Sequence, residues 1–219
     1  MEFIGEPSWK AARRRRIIDK GFEMFSNRGI DLVSVDEIAG ACGMTRATIY
    51  RYYPSKLDLV IEIGAVKWKE CIAQISKRYP DGATDSLTAR EHFALLIDCF
   101  IDLYREKREL LRFNQYFNLY VKSAGATDEQ MGSYMRAIGI LRAAFGRMYA
   151  KAFRDGTVRT DLSEERMFSA FLHIMLAAIT RYAVGLAYVP KNGADPEDEL
   201  KMLKEMLINN FSNNKEESK

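Results

Sequence analysis

Proline occurs at only five of 219 positions, 7, 54, 80, 190 and 196, and the long stretches between them run at helical spacing. Proline lacks the amide donor a helix interior needs, so isolated prolines between periodic segments act as punctuation. Apolar residues recur three and four apart in those segments, and helix-start signatures recur at the breaks. The chain is therefore read as all-α, with about nine helices.

The first helix is expected over about 8–27, with Ile17, Ile18, Gly21, Phe22 and Phe25 on one face and Gly29 as a left-handed cap. Ser34-Val-Asp-Glu37 is a capping box that opens a short second helix, whose inner face is Val35, Ile38 and Ala39. Gly43 breaks it. Thr45 caps a third helix over 46–53, and Pro54 stops that one. Ser55-Lys-Leu-Asp58 opens a long fourth helix to about 79. Further helices are expected over about 86–106, 109–122, 128–154, 163–187 and 196–211, the last opened by Asp195 with Pro196 at its first position. The polar stretch 212–219 is a frayed tail.

Composition narrows the chemistry. Hydrophobic residues at 47% and charged residues at 29% supply an ordinary core, so no staple is required. The three cysteines, Cys42, Cys71 and Cys99, are widely spaced, and neither a disulfide framework nor a metal site is supported. No apolar signal core stands near the start, where Trp9 to Arg16 is basic and polar, so a reducing cytoplasm is the expected compartment. The most apolar stretch, from Ala170 to Val189, carries His173, Thr180 and Arg181 near its middle and reads as a buried helix rather than a membrane span. No nucleophile motif, metal cluster or glycine-rich phosphate loop is found, and the two histidines stand alone. Neither catalytic residues nor a cofactor are expected, and the chain is not read as an enzyme. The net charge of +3 is placed unevenly: residues 1–56 hold ten Lys/Arg against seven Asp/Glu, while 57–219 hold twenty-three of each. That is a weak pointer to an anionic partner near the start.

Residues 34–53 form two short helices around the glycine turn Cys42-Gly43-Met44, which is helix-turn-helix spacing. In such a unit one side of the second helix packs on the first and the other meets base edges. Ile49 and Tyr53 make the inner stripe. Arg46 has the reach to bind a guanine bidentately, and the methyls of Ala47 and Thr48 suit a thymine methyl. Tyr50, Tyr52 and Lys56 suit phosphates. The same spacing also fits a plain helical hairpin with a polar surface. The run Arg13–Arg16 points several ways on one helix and reads equally as a solvated start or a phosphate-contacting arm.

The segment Thr45-Arg-Ala-Thr-Ile-Tyr-Arg-Tyr-Tyr-Pro-Ser-Lys-Leu-Asp-Leu59 resembles the recognition-helix signature of the TetR family of transcriptional regulators, T-x-x-T-[IL]-Y-x-[HY]-F-x-[SN]-K-x-x-L. Phe25-Ser-Asn-Arg-Gly29, Ser34-Val-Asp-Glu-Ile-Ala39 and Cys42-Gly43-Met44 match that family's F-x-x-x-G, T-x-x-x-I-A and A-G-V pattern, so the resemblance covers about 14–60. It implies that Thr45, Arg46, Ala47, Thr48, Tyr50 and Tyr52 read bases and backbone, that Lys56 binds phosphate, and that Ser34 touches phosphate at the start of the second helix. Tyr53 departs from the usual Phe, and Gly40 lies inside the second helix with no functional account.

The resemblance further implies a DNA-binding domain over 1–54 and a helical ligand-binding and dimerisation domain over 55–211. The eighth helix is apolar almost all round, and the last carries the stripe Leu200, Leu203, Leu207 and Phe211. Two such helices meeting their symmetry mates would make a homodimer that presents two recognition helices to a palindromic double-stranded operator. Aromatics, methionines and a few amides suit an adaptable pocket, and Phe113, Tyr116, Phe117, Tyr120, Met135, Phe145 and His173 are the candidate effector residues, although each also fits a plain bundle core. His92 is a further candidate lining group. The expected function is a ligand-responsive repressor released by a small apolar or aromatic effector. The rival is a sequence-indifferent structural DNA-binding protein.

Overall fold

A computed structural model describes residues 7–80, 82–185, 193 and 195–213. Among these, nine helices are found and no strand: α1 Ser8–Arg28, α2 Val35–Cys42, α3 Arg46–Tyr52, α4 Lys56–Arg78, α5 Ala89–Glu106, α6 Arg108–Ser123, α7 Asp128–Asp155, α8 Glu164–Val184 and α9 Pro196–Phe211. The all-α reading holds, and most expected helices begin and end within a residue or two of these bounds.

The starts are chemical. Ser34 accepts from the Glu37 amide at 3.2 Å while the Glu37 carboxylate accepts from the Ser34 amide at 2.8 Å, closing the box at α2. Thr127 and Gln130 form the same reciprocal box at α7, while Asp195 caps α9 by accepting from the Glu197 amide at 2.8 Å. Two expectations are corrected. The α5 helix starts at Ala89 rather than near 86, because Thr88 and Glu91 form a capping box there. Gly29 has φ +87° with an extended ψ of 151°, so it ends α1 in a glycine conformation other than the left-handed helical one. The expected end of the eighth helix at 187 lies outside the described residues.

The contacts group the described residues into two compact units, Met1–Glu70 with Arg112–Ala137, and Cys71–Leu111 with Ile138–Lys219. This differs from a division at 54/55. The reason is that α6 packs back on α1: Phe113 meets Phe22 at 5.5 Å between ring centres, Arg112 donates to the Ser26 carbonyl at 3.3 Å, and Tyr116 lies 3.7 Å from where a Cβ on Gly29 would stand.

In the first unit the buried side chains of α1, α2 and α3 include Ile17, Ile18, Phe25, Ile38, Ala39 and Ile49. The second unit centres on an aromatic cluster in which Phe93 touches Phe145, Phe171 and Phe211 at 5.4–6.2 Å. An antiparallel bridge between Val158 and Ser212 ties the α7–α8 loop to the end of α9, and the Asn213 amide donates to the Thr157 carbonyl at 3.1 Å, so the fraying expected from 212 does not begin there. By length and composition α8 is apolar enough to cross a membrane, yet Met167, Phe168, Phe171, Met175 and Ile179 face this core. Within one chain α8 is not covered all round, since Ile174, Ala177 and Val184 are exposed.

Candidate nucleic-acid interface

Gly43 sits at φ +64°, ψ 38°, the left-handed conformation that lets α2 stop and α3 leave at an angle. Thr45 then caps α3 by accepting from the Thr48 amide, and its hydroxyl lies 3.0 Å from that of Thr48. Ile49 and Tyr53 are buried, so the helix is anchored along the stripe expected from its sequence. The opposite side is open. Thr45, Arg46 and Ala47 are exposed, and Thr48, Tyr50 and Tyr52 are half-buried.

Arg46 is held from two sides. Its guanidinium donates to Asp36 at 2.9 Å and to the Tyr50 hydroxyl at 3.3 Å, and it lies 5.3 Å from the centre of the Tyr50 ring. The Tyr50 hydrogen bond, then the Asp36 charge, raise its pKa further above the ordinary value. Asp36 was missed by the sequence reading. The signal was an acid beside the capping-box glutamate, which is indistinguishable from an ordinary first-turn helix acid.

Ser34 is exposed, but its hydroxyl is engaged in the box and also donates to Glu37 at 2.9 Å. Hydrogen bonds from Ser34 and the Arg28 guanidinium hold the Glu37 carboxyl down at about 2. Lys56 turns inward: its ammonium donates to the Ile30 carbonyl at 2.6 Å and packs 5.3 Å from the Tyr120 ring and 5.8 Å from the Phe25 ring. Burial pushes its pKa down, against the opposing charges of Asp31 and Glu37. An ammonium has three donors, so this bond leaves others for a phosphate.

The four-arginine run divides by task. Arg15 pairs with Asp19 and Glu70, and Arg14 lies over the Tyr53 ring at 5.6 Å. Arg13 and Arg16 instead line an open groove of about 480 Å³ with Ala12, Cys42, Gly43, Met44, Thr45 and Thr48. Two cations thus border the exposed start of α3, an arrangement suited to a polyanion.

The candidate effector residues divide between the two units. Phe113, Tyr116, Phe117 and Tyr120 lie along α6 in the first unit, where Phe113 and Phe117 are buried and Phe117 stacks on Tyr134 at 4.3 Å. Phe145 is buried in the aromatic cluster of the second unit. Met135 is 59% exposed, one position off the buried Tyr134 and Ala137 face of α7. His173 is exposed on α8, with Nδ1 3.3 Å from the Ser169 hydroxyl. These two do not line an interior, because their helix positions point away from the core. His92 is buried in the second unit.

Residues 17–63 match the family model for bacterial regulatory proteins of the tetR family. The chain is 23% identical over 159 residues to the HTH-type transcriptional regulator LuxR of Vibrio harveyi, covering 73% of each chain. Among solved structures it resembles a putative transcriptional regulator from Saccharomonospora viridis in complex with choline, with a TM-score of 0.69, 19% identity and 92% and 98% of the two chains covered. It also resembles FadR from Bacillus subtilis in complex with stearoyl-CoA, with a TM-score of 0.65, 18% identity and 89% and 97% covered.

Proposed function

This chain belongs to the TetR family of bacterial regulatory proteins, and from that premise we propose that it is a homodimeric, effector-responsive repressor that binds a palindromic operator in the cytoplasm. The observation that carries this reading is the two-sided α3 helix: Ile49 and Tyr53 are buried while Thr45, Arg46 and Ala47 stand open. Arg46, Ala47 and Thr48 contact base edges. Thr45, Tyr50, Tyr52 and Lys56 take backbone, with Ser34 reaching phosphate only by loosening its bond to Glu37. Residues 1–54 act as the reading module and 55–211 as the effector and dimer module.

Dimerisation runs through α8 and α9. Ile174, Ala177 and Val184 on α8 and Met202 and Met206 on α9 are exposed apolar side chains that a symmetry mate would cover. The effector is a small apolar or aromatic molecule, and the α6 residues Phe113, Tyr116, Phe117 and Tyr120 are its first candidate contacts. Binding acts by population shift. The start of α4 is pinned to the α1–α2 loop by the Lys56–Ile30 bond, so a conformer with α4 displaced would also displace the reading module.

The test is selection of bound genomic fragments by the purified full chain at near-physiological salt, with Arg46→Ala alongside. Enrichment of a short palindrome, altered in the variant, supports the regulator. Binding that is salt-driven and equal for all fragments supports the sequence-indifferent DNA binder instead. Stearoyl-CoA and choline, present in the two similar structures, are the first effector probes, read as loss of operator affinity.

A further inference from the structure

We propose that Asp36 is a specificity-determining positioning residue, which presets the Arg46 guanidinium for base reading and keeps its charge from being spent on phosphate. The inference rests on the reading of Arg46 as a base contact. Asp36 stands in the first turn of α2 and Arg46 in the first turn of α3, and the 2.9 Å bond between them spans the turn of the motif. With Tyr50 holding the other nitrogen at 3.3 Å, the guanidinium is fixed from both helices. Arginine has five N–H donors, so these two bonds leave three for a base edge.

Both side chains of the pair are 58% exposed. An ion pair so solvated contributes little to folding, so stability does not account for its geometry. Its effect grows when DNA displaces the water around it. A free arginine beside a polyanion meets a phosphate wherever one is near, and that contact is blind to sequence. A carboxylate on the same face opposes this in two ways. It repels phosphate from the vicinity of Arg46, and it holds the fork in one orientation. Asp36 thereby lowers affinity for all DNA while raising discrimination at one base pair. Glu37, the neighbouring acid, does not substitute for it, since Ser34 and Arg28 already engage that carboxylate.

The experiment measures binding of the full-length chain to the selected operator duplex, to a panel of single base-pair variants of it, and to a random duplex. Wild type, Asp36→Asn, Arg46→Ala and the double variant are compared, with melting curves to verify folding. Asp36→Asn is expected to bind the random duplex several-fold more tightly. It should also lose about five-fold or more of the discrimination at the one base pair that Arg46→Ala relaxes. In the Arg46→Ala background the Asp36 change should have no further effect at that base pair. If Arg46→Ala relaxes a base pair and Asp36→Asn does not, the positioning role is overturned while the Arg46 reading stands. A uniform fall in affinity with a lowered melting temperature would instead make Asp36 a structural residue. If Arg46→Ala relaxes no base pair, the reading beneath the inference falls, and the inference with it.

Discussion

The Tyr134 hydroxyl donates a 3.0 Å hydrogen bond to the Asn114 side-chain oxygen, and both residues are buried in the first unit. The bond joins α7 to α6 beside the Phe117–Tyr134 stack. Burial also pushes the Tyr134 phenol well above its ordinary pKa, so it remains a donor at any physiological pH. Tyr134→Phe keeps the ring and strands the Asn114 oxygen. It should cost about 1–3 kcal/mol in urea unfolding, the penalty for an unsatisfied buried acceptor.

Two glycines in helices should respond to alanine with opposite signs. A Cβ on Gly64 would lie 3.1 Å from ring atoms of both Phe117 and Tyr134, so Gly64→Ala must push the stacked pair and should destabilise by about 1–3 kcal/mol. A Cβ on Gly40 meets nothing within 4 Å, and that residue is exposed inside α2. Gly40→Ala should therefore stabilise by about 0.5–1 kcal/mol through helix propensity and a less flexible unfolded chain. Paired denaturation curves decide both signs.

His92 makes stability fall in mild acid. It is buried, its Nδ1 has no hydrogen-bond partner among the described residues, and its pKa is pushed down to about 4, first by burial and then by Lys151 and Arg147. The unfolded imidazole takes its proton near pH 6.5, so between those values the unfolded state binds more protons. The contribution is fully present above pH 6.5 and is lost as pH drops toward 4. Between pH 7 and pH 5 the loss should be on the order of 2 kcal/mol. Glu37 and Asp161, both held at about 2, lose their contributions mainly below pH 4.5 and leave this window clear. A His92→Gln variant should flatten the profile between pH 5 and 7, and an unchanged slope would mean that another group is responsible.

Lys56 combines a structural bond with its proposed phosphate contact, and one substitution separates them. Lys56→Met removes the bond to the Ile30 carbonyl and should lower stability by about 1 kcal/mol. It should also weaken binding to all DNA sequences alike and reduce the salt slope by about one counterion. A lowered melting temperature with an unchanged salt slope would leave only the structural bond.

The helices were legible because their signals are local. Ser34 with Glu37 and Asp195 with Pro196 act within one turn of chain, and each signature opens a helix in the structure. The buried stripe Ile49 and Tyr53 followed from a spacing of four. The Asp36–Arg46 pair was not legible, because ten positions and a turn separate two ordinary surface charges. Nor was the inward turn of Lys56, which depends on a carbonyl twenty-six residues away.

The sequence by itself determined the helix content, most helix boundaries and the face of α3 left open, since periodicity, caps and glycine turns act over a few residues. Tertiary structure alone decided which side chains share an interior. Phe113 and Phe145 look alike in the sequence, yet one packs on Phe22 of α1 and the other on Phe93 of α5. The hydrophobic effect is non-directional and asks only that apolar surface be covered, so partners are chosen by how the helices pack rather than by residue type.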